Sequence, residues 1–409
     1  MRFALFVLFI TSFALSGCLS LAPQPPEQTI LAAERVELPA TFIHGLPYVD
    51  LQINGKGPYR FLVDTGSGGL GVSARVAREV EIIFSKEHTI LVQGSGGHSE
   101  KLPIANIDRI YCALFMLRGV KAHIESTETD DVFAYQGVKN FGGVLGLKPF
   151  KKVLLEIDYP RQKVSVARLG SATPALEDGI PYAGLIPYPY VTIATPSAKH
   201  PTTTAVIDTG ADGGISLNGI ADYPTRVGLT RGDGYTSGGD GYRRPLYGQL
   251  AGDIRLGPVI WRDPVISDSA VANLIGSEAL APWKLVIDQE RNLLWLVGDK
   301  KINTTMAWQG PLEPDGRPAV YGLAGIPDGE AFILKEVDPG SRAERAGLKV
   351  GDRILAEAAG PIPPGPSPEK KSRQIRLQVA RGSAKLEITM EALAPSCTST
   401  APSPSTGFR

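Results

Sequence analysis

The chain has no surplus of either charge: 42 Lys+Arg stand against 42 Asp+Glu, a formal net charge of +0. A nucleic-acid-binding chain normally carries a basic excess, so nucleic acid is excluded as the main partner. No polybasic run marks a lipid-binding patch. Cysteine is scarce, with 3 in 409 residues and no Cys-x-x-Cys, which excludes a disulfide framework. Cys112, in an apolar run, is expected to be a small buried hydrophobe. The 5 histidines, His44, His88, His98, His123 and His200, show no His-x-x-x-His spacing, so no zinc site is visible. Neither Gly-x-Ser-x-Gly nor a P-loop occurs. No metal and no organic cofactor is expected. What is present is a 43% hydrophobic fraction against 21% charged, enough to bury a core. The length predicts two to three domains at ~150 residues each. The 46 Gly and 33 Pro exceed average usage without a collagen period, which points to turns between many short strands.

Met1-Arg2 precedes the apolar run Phe3–Ile10, too brief to be a transmembrane span. The run leads to Leu15-Ser16-Gly17-Cys18, which resembles the bacterial lipobox. A plain secretory signal is the alternative. On the lipobox reading, residues 1–17 are a lipoprotein signal peptide, Cys18 is lipidated, and 18–38, with Pro23, Pro25 and Pro26, is a tether. Leu19, rather than Asp, after the Cys leans towards the outer membrane, facing the periplasm. The folded part is expected to start near residue 39.

One pattern then occurs twice. Phe61-Leu62-Val63-Asp64-Thr65-Gly66-Ser67-Gly68 is an apolar strand ending in an abrupt polar turn, and Ala205-Val206-Ile207-Asp208-Thr209-Gly210-Ala211 repeats it. A single Asp-Thr-Gly means little. Each copy is followed by the same landmarks in the same order: a Gly-rich hairpin (Gly94-Ser95-Gly96-Gly97; Ser237-Gly238-Gly239), an apolar-apolar-Gly element (Val144-Leu145-Gly146; Leu274-Ile275-Gly276) and a closing strand (Leu155–Tyr159; Val286–Gln289). That order marks an internal duplication. The copies differ by one length change, which makes 121–140 a candidate insertion that regulates access.

The duplicated order resembles the aspartic protease lobe, over roughly residues 40–298. Its copies are short, as in retropepsins, but fused in one chain, as in pepsins. The resemblance implies a mainly β protein: lobe one at 39–172 and lobe two at 173–298, related by a pseudo-twofold axis. It implies Asp64 and Asp208 as the catalytic pair, with a protein or peptide as substrate. Thr65, Gly66 and Ser67, and Thr209, Gly210 and Ala211, would support the site, the two Thr interlocking beneath the acids. Gly94, Ser95, Gly96 and Gly97 with Ser237, Gly238 and Gly239 would be flaps over substrate. Pepsins carry a Tyr in the first flap and this chain has none there; Tyr235 and Tyr242 are candidate substitutes. Ser67 faces Ala211 in the duplication, so a hydroxyl near Asp64 is expected to make Asp64 the more acidic member.

A polar linker at 299–317 precedes a third module. Val337-Asp338-Pro339-Gly340-Ser341, Ala346-Gly347-Leu348 and Gly351-Asp352-Arg353-Ile354-Leu355 resemble a PDZ domain, giving a small α+β unit at 318–393. The resemblance implies a C-terminal peptide as partner, held by the backbone N–H groups of Tyr321-Gly322-Leu323. The prolines of 356–374 forbid most of a helix expected beside the groove, so the module can equally be a structural cap. A Pro/Ser/Thr-rich tail, 394–409, is expected to be disordered. The sequence therefore predicts a monomeric envelope lipoprotein with aspartic endopeptidase activity. A non-catalytic peptide-binding adaptor and a homodimer remain as rivals.

Overall fold

The structure is a computed structural model. It describes residues 24–94, 99–112, 114–171, 174–183, 188–235, 244–298, 319–329, 331–355, 374–391 and 393. Cys18, the 299–317 linker, the proline-rich stretch 356–373 and the 394–409 tail lie outside the described residues.

The chain is mainly β and folds as two β-lobes related by a pseudo-twofold axis, followed by a smaller C-terminal sheet. In the first lobe the Lys56–Val63 strand runs parallel to Phe141–Leu145 (Val63 opposite Leu145), and the latter pairs antiparallel with Leu70–Val72. In the second lobe Thr202–Ile207 runs parallel to Leu274–Ile275 (Ile207 opposite Ile275), which pairs antiparallel with Ile215–Leu217. The duplicated landmarks thus occupy equivalent strands. Alternating and continuous apolar runs explain why these segments are strands: Phe61, Val63, Ala205 and Ile207 are all 0% exposed.

A six-stranded sheet joins the lobes. Its centre is the antiparallel pair Val153–Asp158 and Lys284–Asp288, one strand from each copy, with Leu155 opposite Ile287. Glu156 is buried there and is held by Arg35, by Lys284 at 2.9 Å and by the Ser165 hydroxyl at 3.2 Å. A buried carboxylate needs such partners to offset its desolvation.

The expected tether does not extend to residue 38. Gln28–Leu31 pairs with Phe115–Ile124, and Arg35–Leu38 pairs with Lys163–Arg168 at the end of the shared sheet. Val36 and Leu38 are buried while Arg35 and Glu37 face outward. That period of two is a strand signal which the nearby prolines obscured.

Within 121–140 lies the Thr127–Tyr135 helix. Its Phe133 stacks on Phe141 at 3.9 Å between ring centroids and meets Tyr48 edge-on at 6.4 Å. The helix also touches the Leu323–Asp328 strand of the C-terminal sheet. That sheet is built from Leu323–Asp328, Ala331–Val337, Arg353–Leu355, Gln374–Arg381 and Ala384–Glu391 over its own core of Tyr321, Leu334, Ala343, Leu377 and Val379. One further strand of this sheet, Gly234–Tyr235, comes from the second lobe. Cys112 lies in the lobes' core, where burial pushes its thiol up to about 11.

Candidate active site

Each Asp-Thr-Gly turn begins where its buried strand stops. The N–H of Asp64 donates to Leu145 O and that of Asp208 to Ile275 O, both at 3.0 Å. The following turns are pinned the same way: Gly146 N–H to Gly69 O and Gly276 N–H to Gly214 O, both at 2.7 Å. Two equivalent clamps therefore present the two acids from opposite lobes.

The threonines cross between the lobes. Thr65 N–H donates to Thr209 Oγ1 at 3.0 Å, and Thr209 N–H donates to Thr65 Oγ1 at 3.1 Å. Each hydroxyl then donates onward, Thr65 to Ile207 O at 2.5 Å and Thr209 to Val63 O at 2.7 Å. Both side chains are essentially inaccessible to solvent. Below them Tyr159, from the first lobe, lies 3.1 Å from the Ser277 hydroxyl, which donates to Thr209 O at 3.0 Å.

Above this floor the side chains of Asp64 and Asp208 hydrogen-bond to one another. Each carboxyl lies over the glycine of the other turn. A Cβ at Gly66 would sit 2.4 Å from Asp208 Cγ, and a Cβ at Gly210 would sit 2.4 Å from Asp64 Cγ. Glycine is required at both positions because the partner's carboxyl occupies the space of a side chain.

Burial raises both carboxyls above their ordinary range. The charge of Asp208 and the hydrogen bond to it raise Asp64 further, against the N–H groups of Gly66 and Ser67. Asp208, besides its bond to Asp64, accepts from the N–H groups of Gly210 (2.9 Å) and Ala211 (3.1 Å), with Gly66 N–H adding to these. The two carboxyls therefore share one proton and titrate as a pair. Ser67 acts on Asp64 through its backbone N–H, which Ala211 supplies equally to Asp208.

Three residues near the pair were not assigned from sequence. Burial raises the carboxyl of Asp212, and Asp208 raises it further, while backbone N–H groups and His44 lower it. Tyr48 is 1% exposed, its hydroxyl has no hydrogen-bond partner among the described residues, and burial beside Asp212 and Asp64 pushes it up. Tyr188 is also raised, by burial first, then by Tyr190 and Asp64. The Asp directly after Gly-Ala was a readable signal for Asp212; nothing local marks Tyr48 or Tyr188.

Of the expected flap residues, Gly94 is an exposed residue following the Phe84–Gln93 strand. Ser95, Gly96, Gly97, Ser237, Gly238, Gly239 and Tyr242 lie outside the described residues. The backbone of Tyr235 pairs with Gly325 of the C-terminal sheet. Tyr321, Gly322 and Leu323 lie at the start of that sheet, where their three N–H groups converge on the Asp233 carboxylate.

The aspartyl protease family model matches residues 49–147, the heart of the first lobe. Among solved structures, a retropepsin-like aspartic protease from Rickettsia conorii is similar at 14% identity and a TM-score of 0.25, over 34% of this chain and 94% of that one. No curated protein matches the chain.

Proposed function

We propose that this chain is an aspartic endopeptidase acting as a monomer, with both acids supplied by one polypeptide. The observation that carries the reading is the mutual hydrogen bond of Asp64 and Asp208 over an interlocked threonine floor. Two carboxyls so close cannot both ionise at low cost, so they hold one proton between them. A water held by the pair loses a proton to the ionised carboxylate as it attacks the scissile carbonyl, while the protonated partner donates to the carbonyl oxygen and gives a neutral gem-diol. The first acid then passes its proton to the departing amine nitrogen as the C–N bond breaks, and the second recovers a proton from a gem-diol hydroxyl, leaving a carboxylic acid and restoring the pair. No covalent bond to the protein forms. The test is incubation with an unfolded protein across acidic and neutral pH. Cleavage by the wild type and not by Asp64→Asn or Asp208→Asn supports the reading; binding without cleavage makes the chain an adaptor.

The spacing of the acids depends on glycine. Gly66→Ala is expected to lower kcat/KM by about 10²-fold or more, because misplacing a reacting group by ~1 Å has that effect. An active Gly66→Ala enzyme would count against the role given to the pair.

We further propose that the C-terminal module is PDZ-like and takes the free C-terminus of a protein chain at Tyr321-Gly322-Leu323. Supporting features are the convergent N–H groups and the conformation of Gly322, whose φ of +81° suits glycine. The lipobox-like Cys18 leads us to propose an anchor in the bacterial envelope, probed by Cys18→Ala, which should move the protein from the membrane pellet to the soluble fraction.

A further inference from the structure

The cradle formed by Tyr321, Gly322 and Leu323 already holds a carboxylate, and that carboxylate comes from the second lobe. Asp233 accepts from Tyr321 N–H at 2.8 Å, Gly322 N–H at 2.7 Å and Leu323 N–H at 3.0 Å. Three backbone donors on one carboxylate make a built anion site. The loop holds its shape from within: Asp338 N–H donates to Gly322 O at 2.8 Å and Ala343 N–H to Tyr321 O at 3.0 Å. A Cβ at Gly322 would meet Ser341 Cβ at 2.2 Å, so the turn closes only with glycine.

The neighbouring contacts extend this docking. Directly after Asp233, Gly234 and Tyr235 add a parallel strand to the outer edge of Leu323–Asp328, opposite Ala324 and Gly325. Arg244, whose side chain is 2% exposed, binds Asp338 at 2.5 Å and Glu336 at 3.0 Å and donates to Gly232 O at 2.9 Å. Arg231 reaches Glu336 at 3.0 Å. Arg231 and Leu246 are paired in the second lobe, so both arms of one hairpin are fastened to the module. Burial raises the Asp233 carboxyl, while the three N–H groups and Arg244 act to keep it ionised.

We propose that Asp233 is an internal stand-in for a C-terminal carboxylate, and that a protein chain with a free C-terminus competes with it and undocks the second-lobe hairpin arms from the module. This rests on the PDZ-like reading of the module and not on peptide-bond cleavage. Among the described residues the internal strand pairs over two positions. An extended peptide can pair with more of the same edge while offering the same terminal group. The internal ligand lowers apparent affinity by the fraction of molecules in which the cradle is filled. The cradle is therefore a regulated site, normally closed by the protease lobe beside it.

The experiment uses the full chain carrying Asp64→Asn, so that no peptide is cut. The probe is a pool of fluorescent hexapeptides randomised at the last four positions, made both as free acids and as C-terminal amides. Asp233→Asn is expected to bind selected free acids at least ~10-fold more tightly than the Asp233 protein does, and to ignore the amides. Arg244→Gln should shift affinity in the same direction, which guards against misfolding of one variant. Saturating free-acid peptide should speed amide hydrogen exchange at residues 231–235 in the Asp233 protein. Equal affinities with and without Asp233, or unchanged exchange at 231–235, would overturn the competition while leaving the module a peptide binder. Failure of every free acid to bind any variant would overturn both the competition and the PDZ-like reading. Neither result bears on cleavage by the Asp pair.

Discussion

Replacing Asp64 or Asp208 by Asn is expected to lower kcat/KM for a peptide substrate by about 10²–10⁴-fold, the range of a lost general acid or base. The two single variants and the double variant should be similarly inactive, because the acids act as one unit. The same substitutions should change stability with the opposite sign. The folded-state pKa of Asp64 is raised, so the native state holds a proton that the unfolded chain has released. Native stability is therefore greatest at low pH with respect to this group, and it falls as pH rises from the ordinary carboxyl range to the raised value. Each unit of that rise corresponds to about 1.4 kcal/mol. Asn cannot ionise, so Asp64→Asn should unfold at a higher temperature than the wild type at neutral pH, with the gap closing towards pH 4. Thermal unfolding across pH checks this; a variant less stable than wild type at neutral pH would contradict the buried, shared proton.

Thr209→Val is expected to be the most damaging conservative change to the fold. Valine has the same shape, but it strands Thr65 N–H and Val63 O, which now meet the Thr209 hydroxyl at 3.0 Å and 2.7 Å in a fully buried floor. An unsatisfied buried group costs about 1–3 kcal/mol, so the pair costs roughly 2–6 kcal/mol. Whole proteins are stable by only about 5–15 kcal/mol. Thr65→Val should behave alike by losing the contacts to Thr209 N–H and Ile207 O. Thr209→Ser keeps the hydroxyl and should recover most of the loss. Denaturant unfolding gives the magnitudes, and a Val variant within 0.5 kcal/mol of wild type, the order of an ordinary surface change, would show that the floor does not join the lobes.

Much of this was legible because the duplication repeats chemistry at matched positions. Leu145-Gly146 and Ile275-Gly276 are brief motifs, yet each supplies the carbonyl and N–H that clamp an Asp turn. Arg35–Leu38 was misread because proline-rich sequence just upstream suggested a tether, while the strand's value lies in pairing with Lys163–Arg168, far along the chain. A side-chain difference, Ser67 against Ala211, is visible in sequence, whereas backbone N–H groups are identical in both and are counted only once the turns are folded.

By itself the sequence determined the two apolar strands ending in Asp-Thr-Gly, their order with the later landmarks, and the mainly β character, because strand periodicity and turn chemistry are local. Tertiary structure alone decided that Asp64 and Asp208 meet and share a proton, and that Tyr48 comes to lie beside them. It also decided that Asp233, in an unremarked Arg-Gly-Asp-Gly stretch, reaches Tyr321, Gly322 and Leu323 nearly ninety residues on. Burial and convergent hydrogen bonds depend on which distant segments pack together, and no local pattern records that.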